Sequence, residues 1–329
     1  MKKKVFIDGS AGTTGLRIRE RLAGREEIEL LSIPEELRKD AATRKRRINE
    51  ADVVFLCLPD DAARESVSLV ENPKTVVIDA STAHRTLPDW AYGFPELGEA
   101  FEKKILSSKR IAVPGCHASG FIALVYPLME AGMLDEQALL TCHSITGYSG
   151  GGNAMIKEYQ AVDKSGLITA PCQYANRQQH KHLKEMVAIS GLENAPIFCP
   201  IVSNFYSGML VTVPLFASQL KWGTAEDIKE VYRKKYQNAI VRYEEPDDSW
   251  KVGFISAAER SEYDSMKVTV DGNGERILLM AAYDNLGKGA SGAAIECMNM
   301  ALGIEKTTGL VITHGDLVEE NNGKRNLKK

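Results

Sequence analysis

Cys116 is the residue whose setting most directly suggests chemistry. It stands in the run Val113-Pro114-Gly115-Cys116-His117-Ala118-Ser119-Gly120, between a Pro-Gly turn and an apolar stretch over residues 121–128. That order predicts a thiol on the first turn of a helix. Unpaired backbone N–H groups and the helix dipole favour negative charge there. Thiolate, not thiol, is the nucleophile, and such a position lowers a cysteine pKa. The bland alternative is a buried, inert cysteine.

A catalytic thiol needs a proton-transfer group within reach. Among six histidines, His180 and His182 form a distinctive pair, preceded by Tyr174 and Arg177 and followed by Glu185. His182 and Glu185 stand at i, i+3, so on a helix they share a face and the carboxylate could orient the imidazole. The competing reading is a polar helix start with solvated histidines. His180, His182, Cys142, His143 and Cys172 contain no H-E-x-x-H and no paired C-x-x-C, so no metal site is expected. The loop Gly147-Tyr148-Ser149-Gly150-Gly151-Gly152-Asn153 presents several backbone N–H groups to one anion or is a flexible hairpin tip.

A second constellation lies near the start of the chain. Gly9, Gly12 and Gly15, with Ser10, Thr13 and Thr14 between them, follow an apolar run and open a segment of helical spacing. The spacing is G-x-x-G-x-x-G, not the strict G-x-G-x-x-G. The mechanism is the same: glycine lets the backbone approach a pyrophosphate, and a helix N-terminus receives its charge. At the end of the next predicted strand, Glu35 could accept from a ribose hydroxyl, while Ser32, Arg38 and Lys39 could hold a 2′-phosphate, which favours NADP. The basic run Arg44-Lys45-Arg46-Arg47 reads as a solvated helix face, since no aromatic residues interleave it.

These residues need elements to hold them. Strands are predicted at residues 4–8, 28–33, 52–59 and 75–79, separated by helical segments, one of which continues from Leu16 to Leu22. This is the pattern of a doubly wound parallel sheet. After Cys116 the texture changes to alternating segments at 205–214 and 266–271, the latter turned by Gly272-Asn273-Gly274 into a hairpin with 276–282. Residues 289–302, small and apolar, predict a buried helix. The tail from Glu319 is polar and expected to fray.

Bulk properties bound the rest. At 329 residues, two domains are the expectation. A net charge of −3 gives no argument for nucleic acid or membrane partners. No apolar run reaches the ~18 residues of a membrane span. Asp8 and the glycines interrupt any signal-peptide core. Six scattered cysteines fit reduced thiols and a cytoplasmic setting.

Together the segments Asp8–Leu16, Leu56-Cys57-Leu58-Pro59-Asp60, Asp79-Ala80-Ser81-Thr82-Ala83-His84-Arg85, Tyr92-Gly93-Phe94-Pro95-Glu96-Leu97, Pro114-Gly115-Cys116, His180-Lys181-His182 and Asn285-Leu286-Gly287-Lys288-Gly289-Ala290-Ser291-Gly292 carry a family likeness. The chain resembles the N-acetyl-gamma-glutamyl-phosphate reductases of arginine biosynthesis, in their shorter form. Two departures from the longer form stand out: His117-Ala118-Ser119 where Tyr-Pro-Thr is common after the cysteine, and Gly152-Asn153 where an arginine follows the serine-glycine loop.

The resemblance implies an α/β fold: a Rossmann-type doubly wound parallel sheet plus an α+β catalytic and dimerisation domain of the glyceraldehyde-3-phosphate-dehydrogenase-like C-terminal type. It implies a dinucleotide-binding domain over 1–115, completed by 285–329, and a catalytic and oligomerisation domain over 116–284. It implies NADPH as hydride donor, Cys116 as nucleophile, a His182 or His180 proton-transfer group, and Asn285 and Gly287 on the cofactor side. Cys116 would take the acyl group of N-acetyl-glutamyl 5-phosphate as a thioester, and hydride would reduce it to the semialdehyde. Ser81, Arg85, Ser149 and Gly150 are candidates for the phosphate, because a dianion needs Arg or clustered N–H donors, and Arg177 joins them as a substrate residue. A homo-oligomer, dimer or tetramer, is expected. The rival readings are the same chemistry on aspartyl phosphate and a non-catalytic dinucleotide sensor.

Overall fold

The computed structural model describes residues 2–163, 165–246 and 253–312. The chain forms two compact units, one of Met1–Gly115 with Ala290–Leu310, the other of Cys116–Gly289 with the stretch from Val311.

The first unit is built on strands β1 (Lys3–Asp8), β2 (Ile28–Leu31), β3 (Val53–Leu56), β4 (Val76–Asp79), β5 (Ala91–Tyr92) and β6 (Arg110–Ala112). They pair in parallel in the order β2-β1-β3-β4-β6-β5. Helices α1 (Thr13–Leu22), α2 (Ala41–Glu50), α3 (Asp60–Ser68) and α4 (Glu99–Ser107) join them. The runs Val53-Val54-Phe55-Leu56 and Val76-Val77-Ile78-Asp79 are buried throughout, as a sheet covered on both faces requires. From β1 the chain moves outward to β2, then returns to lay β3 on the other side. The strand order therefore reverses beside β1, whose C-terminal end carries the Gly9 loop, and such switch points are where open α/β sheets bind ligands.

One expectation for this unit fails. Arg44 does not lie on a solvated face. It is buried, and its Nε and Nη2 donate to Asp8 Oδ2 at 3.2 and 3.1 Å. Ser66 Oγ donates to the same oxygen at 2.7 Å, and Glu65 pairs with Arg44 Nη1 at 3.0 Å. Asp8 ends β1 inside the sheet, so its charge needs a partner. Only Lys45, Arg46 and Arg47 of the basic run face outward.

The second unit opens with α5 (Cys116–Glu130) and then alternates β7 (Thr141–Gly147), α6 (Gly152–Gln160), β8 (Cys172–Gln173), α7 (Leu183–Ser190), β9 (Ile197–Ser203), β10 (Met209–Phe216), α8 (Ala225–Lys235), β11 (Val241–Tyr243), β12 (Met266–Gly272) and β13 (Arg276–Tyr283). Its strands form one mixed sheet in the order β11-β12-β13-β10-β7-β9-β8. The predicted hairpin is β12–β13. The strand expected over 205–214 starts later, because the carbonyls of Phe205, Tyr206 and Gly208 accept from Tyr148, Ser149 and Gly147 instead of joining a ladder.

Helix α5 lies against β10 and β13, with α7 and α8 beside it. Pro127 inside it has no N–H for the carbonyl of Ala123, four residues back. The Tyr236 hydroxyl takes that carbonyl at 2.6 Å, and the Tyr232 hydroxyl takes the carbonyl of Leu124. The final helix, α9 (Gly292–Leu302), is buried up to Met300 and packs on α1, α4 and β4 of the first unit. A π-type turn, Gly287–Ser291, precedes it where the residue pattern predicted helix from 289. No helix among the described residues is long and apolar enough to cross a membrane.

Candidate active site

Cys116 is the first residue of α5, half-buried, with no acidic residue in the first turn. The site is thus the helix start that the Pro-Gly turn predicted. Gly289 lies against it: a Cβ there would stand 3.1 Å from the Cys116 Cβ. Burial pushes the Cys57 thiol to about 12 and the Cys142 thiol higher still, so neither is a nucleophile at neutral pH.

The next residue, His117, is a site residue that the sequence reading passed over. Its ring is buried, with Nδ1 2.6 Å from Ser144 Oγ and Nε2 2.6 Å from the Tyr174 hydroxyl. Burial, helped by the neighbouring His180, pushes its pKa down to about 3, so the ring is neutral. Burial and the charge of Cys116 hold the Tyr174 phenol well above its ordinary value. Tyr174 is therefore the donor to Nε2, which assigns the single imidazole proton to Nδ1, facing Ser144.

His180 and His182 close the cluster. Their ring centroids are 4.7 Å apart, and each lies within 6 Å of the His117 ring, at 5.6 and 5.7 Å. The pair precedes the helix instead of riding on it: His182 is the N-cap of α7, and Glu185 sits in its first turn. His182 and Glu185 are both buried, which removes the solvated reading for His182, while His180 is half-buried. The His182 backbone N–H donates to His180 Nδ1 at 3.2 Å. A neutral His180 consequently carries its proton on Nε2. Gln178 clamps the segment to β9 through two 2.8 Å bonds with the Phe198 backbone. Ala175 and Gln178 both hold left-handed backbone, at φ 52° and 55°, a strained pair beside the imidazoles. Ala175, Asn176, Arg177, Gln179, His180 and Lys181 of this segment line an open cavity of about 660 Å³. Three histidines notwithstanding, no group of His, Cys, Asp or Glu among the described residues is arranged to hold a metal ion.

The serine-glycine loop is ordered by partners. Gly147, Tyr148 and Ser149 spend their N–H groups on backbone carbonyls, so the anion-binding donors are fewer than the glycine count suggests. Asn285 Nδ2 donates to Ser149 Oγ at 2.9 Å, while Asn285 Oδ1 accepts from Gly208 N–H. Asn285, Ser149 and Gly150 therefore form one cluster of the second unit. Gly287 N–H turns to the Asp284 carboxylate. In the first unit, Ser81 donates to Asp79, and Arg85 donates from Nε to the Val113 carbonyl at 2.8 Å and from Nη2 to the Ala80 carbonyl at 3.0 Å. Ser32, Arg38 and Lys39 are exposed, with Arg38 paired to Glu35.

Residues 116–285 match the semialdehyde dehydrogenase dimerisation domain, and residues 31–104 match the semialdehyde dehydrogenase NAD binding domain. The chain is 45% identical to an N-acetyl-gamma-glutamyl-phosphate reductase of Sinorhizobium medicae over 308 residues, covering 92% of this chain and 99% of that one. It is 46% identical to the same-named protein of Rhizobium meliloti, again over 92% and 99% of the two chains. The chain belongs to the N-acetyl-gamma-glutamyl-phosphate reductase family. Among solved structures, aspartate semialdehyde dehydrogenase II of Vibrio cholerae superposes with a TM-score of 0.71 over 92% of this chain and 99% of that one, at 16% identity. That likeness shows a shared fold.

A dinucleotide of the kind this reductase family's NAD binding domain takes fits the Gly9 loop. Gly9 holds φ +90°, and a Cβ on it would meet the Cys57 carbonyl oxygen at 2.2 Å, so only glycine lets the loop lie flat on β3. Helix α1 then starts at Thr13 with Gly12 as N-cap, no side-chain cap and no acidic residue in its first turn. That is the donor arrangement a pyrophosphate uses.

Proposed function

We propose that the chain catalyses NADPH-dependent reduction of N-acetyl-glutamyl 5-phosphate to N-acetyl-glutamate 5-semialdehyde and phosphate, a step of arginine biosynthesis. The observation that carries this is Cys116 at the start of α5, followed by a neutral His117 whose ring meets the His180–His182 pair, in a chain of this family. The Cys116 thiolate attacks the acyl carbon, an S–C bond forms, the C–O bond to phosphate breaks, and phosphate leaves. The thioester carbon then accepts hydride. The oxyanion that hydride addition leaves takes a proton from a proton-transfer group and returns it to that group as the C–S bond breaks, which gives the aldehyde and the free thiolate. A bound nucleotide would supply the hydride.

Two histidines are poor candidates for that group. His117 has both ring nitrogens committed and stays neutral; His180 holds an N–H at Nδ1 and its own proton at Nε2. The proton transfer therefore falls to His182, held as the N-cap of α7. Ser81, Arg85, Ser149 and Gly150 are assigned to the phosphate, and Arg177 to the substrate. Gly9, Ser10, Gly12, Thr13, Thr14 and Gly15 hold the pyrophosphate, Ser32, Arg38 and Lys39 the adenosine 2′-phosphate, and Asn285 and Gly287 the nicotinamide end. Residues 1–115 with 285–329 serve the nucleotide, and 116–284 serve catalysis and assembly. Cytoplasmic operation fits six cysteines that form no disulfide.

The test runs the reaction backwards. N-acetyl-glutamate semialdehyde with phosphate should reduce NADP, NAD should serve poorly, and aspartate semialdehyde should not react. Reaction with aspartate semialdehyde alone would overturn the substrate assignment. Cys116→Ser should lose most turnover while still binding NADPH, because a hydroxyl there has no comparable ionisation.

A further inference from the structure

The first turn of α5 contains a hydroxyl from another element. Tyr283, the last residue of β13, accepts the N–H of Gly120 at 3.0 Å and donates to the carbonyl of Cys116. Those two backbone groups are the i, i+4 pair that closes the first turn of an α-helix. The phenol oxygen thus bridges the turn whose leading residue is the thiol. Gly120 is what admits it. A Cβ at position 120 would stand 2.7 Å from the Tyr283 hydroxyl oxygen and 2.8 Å from its Cε1, closer than packed atoms tolerate. The ring is fully buried, and β13 is hydrogen-bonded to β10 on one side and β12 on the other. Neither water nor a rotamer change can take over the contact. Burial and the charge of Cys116 hold the phenol well above its ordinary value, so it stays a donor. The hydroxyl is thus a further partner, from another element, for the two backbone groups of the turn that carries Cys116.

We propose that Tyr283 is a positioning residue for Cys116: its hydroxyl, seated over Gly120, sets the geometry of the first turn of α5 and through it the line of the sulfur. This rests on the reading of Cys116 as nucleophile. Without the hydroxyl, the Cys116 carbonyl and the Gly120 N–H lose a shared buried partner, and the first turn of α5 is free to shift. The sulfur moves with its backbone, and attack geometry is sensitive to displacements well under 1 Å.

The experiment compares the parent, Tyr283→Phe, Gly120→Ala and the double variant, each checked for folding by near-ultraviolet dichroism. In the parent, mass spectrometry after mixing with acyl phosphate without nucleotide should show an acyl adduct on Cys116. Tyr283→Phe should lower kcat roughly tenfold, leave KM for NADPH within about twofold, and shift the pH profile of Cys116 alkylation. Gly120→Ala, which expels the hydroxyl while keeping the phenol, should do the same, and the double variant should be no worse than either. A folded Tyr283→Phe with parental kcat and alkylation profile overturns the role of Tyr283 and leaves the nucleophile standing. If that variant does not fold, parental kcat in Gly120→Ala overturns it equally. Absence of the adduct in the parent removes the nucleophile and the inference with it.

Discussion

His117 shows how far a single ring can be tuned by its surroundings. With both nitrogens bonded and solvent excluded, its pKa falls from 6.5 to about 3. An unfolded chain takes up a proton below pH ~6.5 that the folded chain refuses. The folded chain is therefore favoured less and less as pH drops from 6.5 towards 3, at ~1.4 kcal/mol per pH unit. Urea unfolding at pH 6 and pH 5 should show this slope in the parent, and His117→Asn should lose about one proton of it. An identical slope in the two proteins would refute the neutral buried ring. At the same scale, Arg85→Ala should raise the KM of the acyl phosphate far more than that of the nucleotide. Equal effects would remove the phosphate role and leave Arg85 as the residue that ties down the Val113 carbonyl. Residue type and spacing drew attention to Cys116, His180 and His182 and left an inert thiol and solvated histidines open beside that reading. They gave no sign of His117, because what makes it part of the site is contact with Ser144, Tyr174 and His180, distant in sequence, and no local pattern encodes that.

Elements were easier to read where burial is uniform and harder where a backbone is spent on something other than its own ladder. The central strands β3 and β4 announce themselves as continuous apolar runs, and the β12–β13 hairpin by its glycine turn. Residues 205–208 look like more strand, yet their carbonyls serve the Gly147–Ser149 loop. The basic run of α2 hid an exception of the same sort. Charge pattern alone makes it a solvated face, but Asp8 at the buried end of β1 draws Arg44 inward. That pair fixes the strand end from which the Gly9 loop springs. Arg44→Met should lower stability by ~3 kcal/mol, since it leaves Asp8 as a buried unpaired charge. It should also weaken nucleotide binding more than substrate binding. Arg46→Ala, on the exposed side, should change stability by under ~0.5 kcal/mol. Chemical unfolding and nucleotide fluorescence titration check both. A neutral Arg44→Met would mean the ion pair contributes nothing to the loop.

The molecule as a whole presents one face of its second sheet outward. Helices α5 and α8 pack on the sheet, while Ile197, Phe216 and Leu278, all on the opposite parity of their strands, are 59%, 62% and 39% exposed. A sheet with an uncovered apolar face seeks a partner. Residues 116–285 match a dimerisation domain, and Ile255 and Ala257 cover only the Leu210, Met280 and Ala282 part of this face. Phe216→Glu combined with Leu278→Glu should yield a folded monomer by sedimentation, and an unchanged oligomer would place the interface elsewhere. The α/β class and the change to a different sheet after Cys116 were legible from periodicity, but alternation suggested antiparallel strands and gave no sign of the parallel pairs β7–β9 and β11–β12; assembly depends on which side the helices leave bare. One last property follows from the tyrosines that attend α5. Tyr232 and Tyr283 are buried, donate to carbonyls of that helix, and are held far above the usual phenol range by burial. The unfolded chain gives up these protons near pH ~10 while the native one keeps them, so alkali undermines the native state from that point upward. The phenolate absorbance of these rings should therefore appear only as the protein melts, which makes them a native optical gauge of whether the scaffold of the reactive sulfur is still standing.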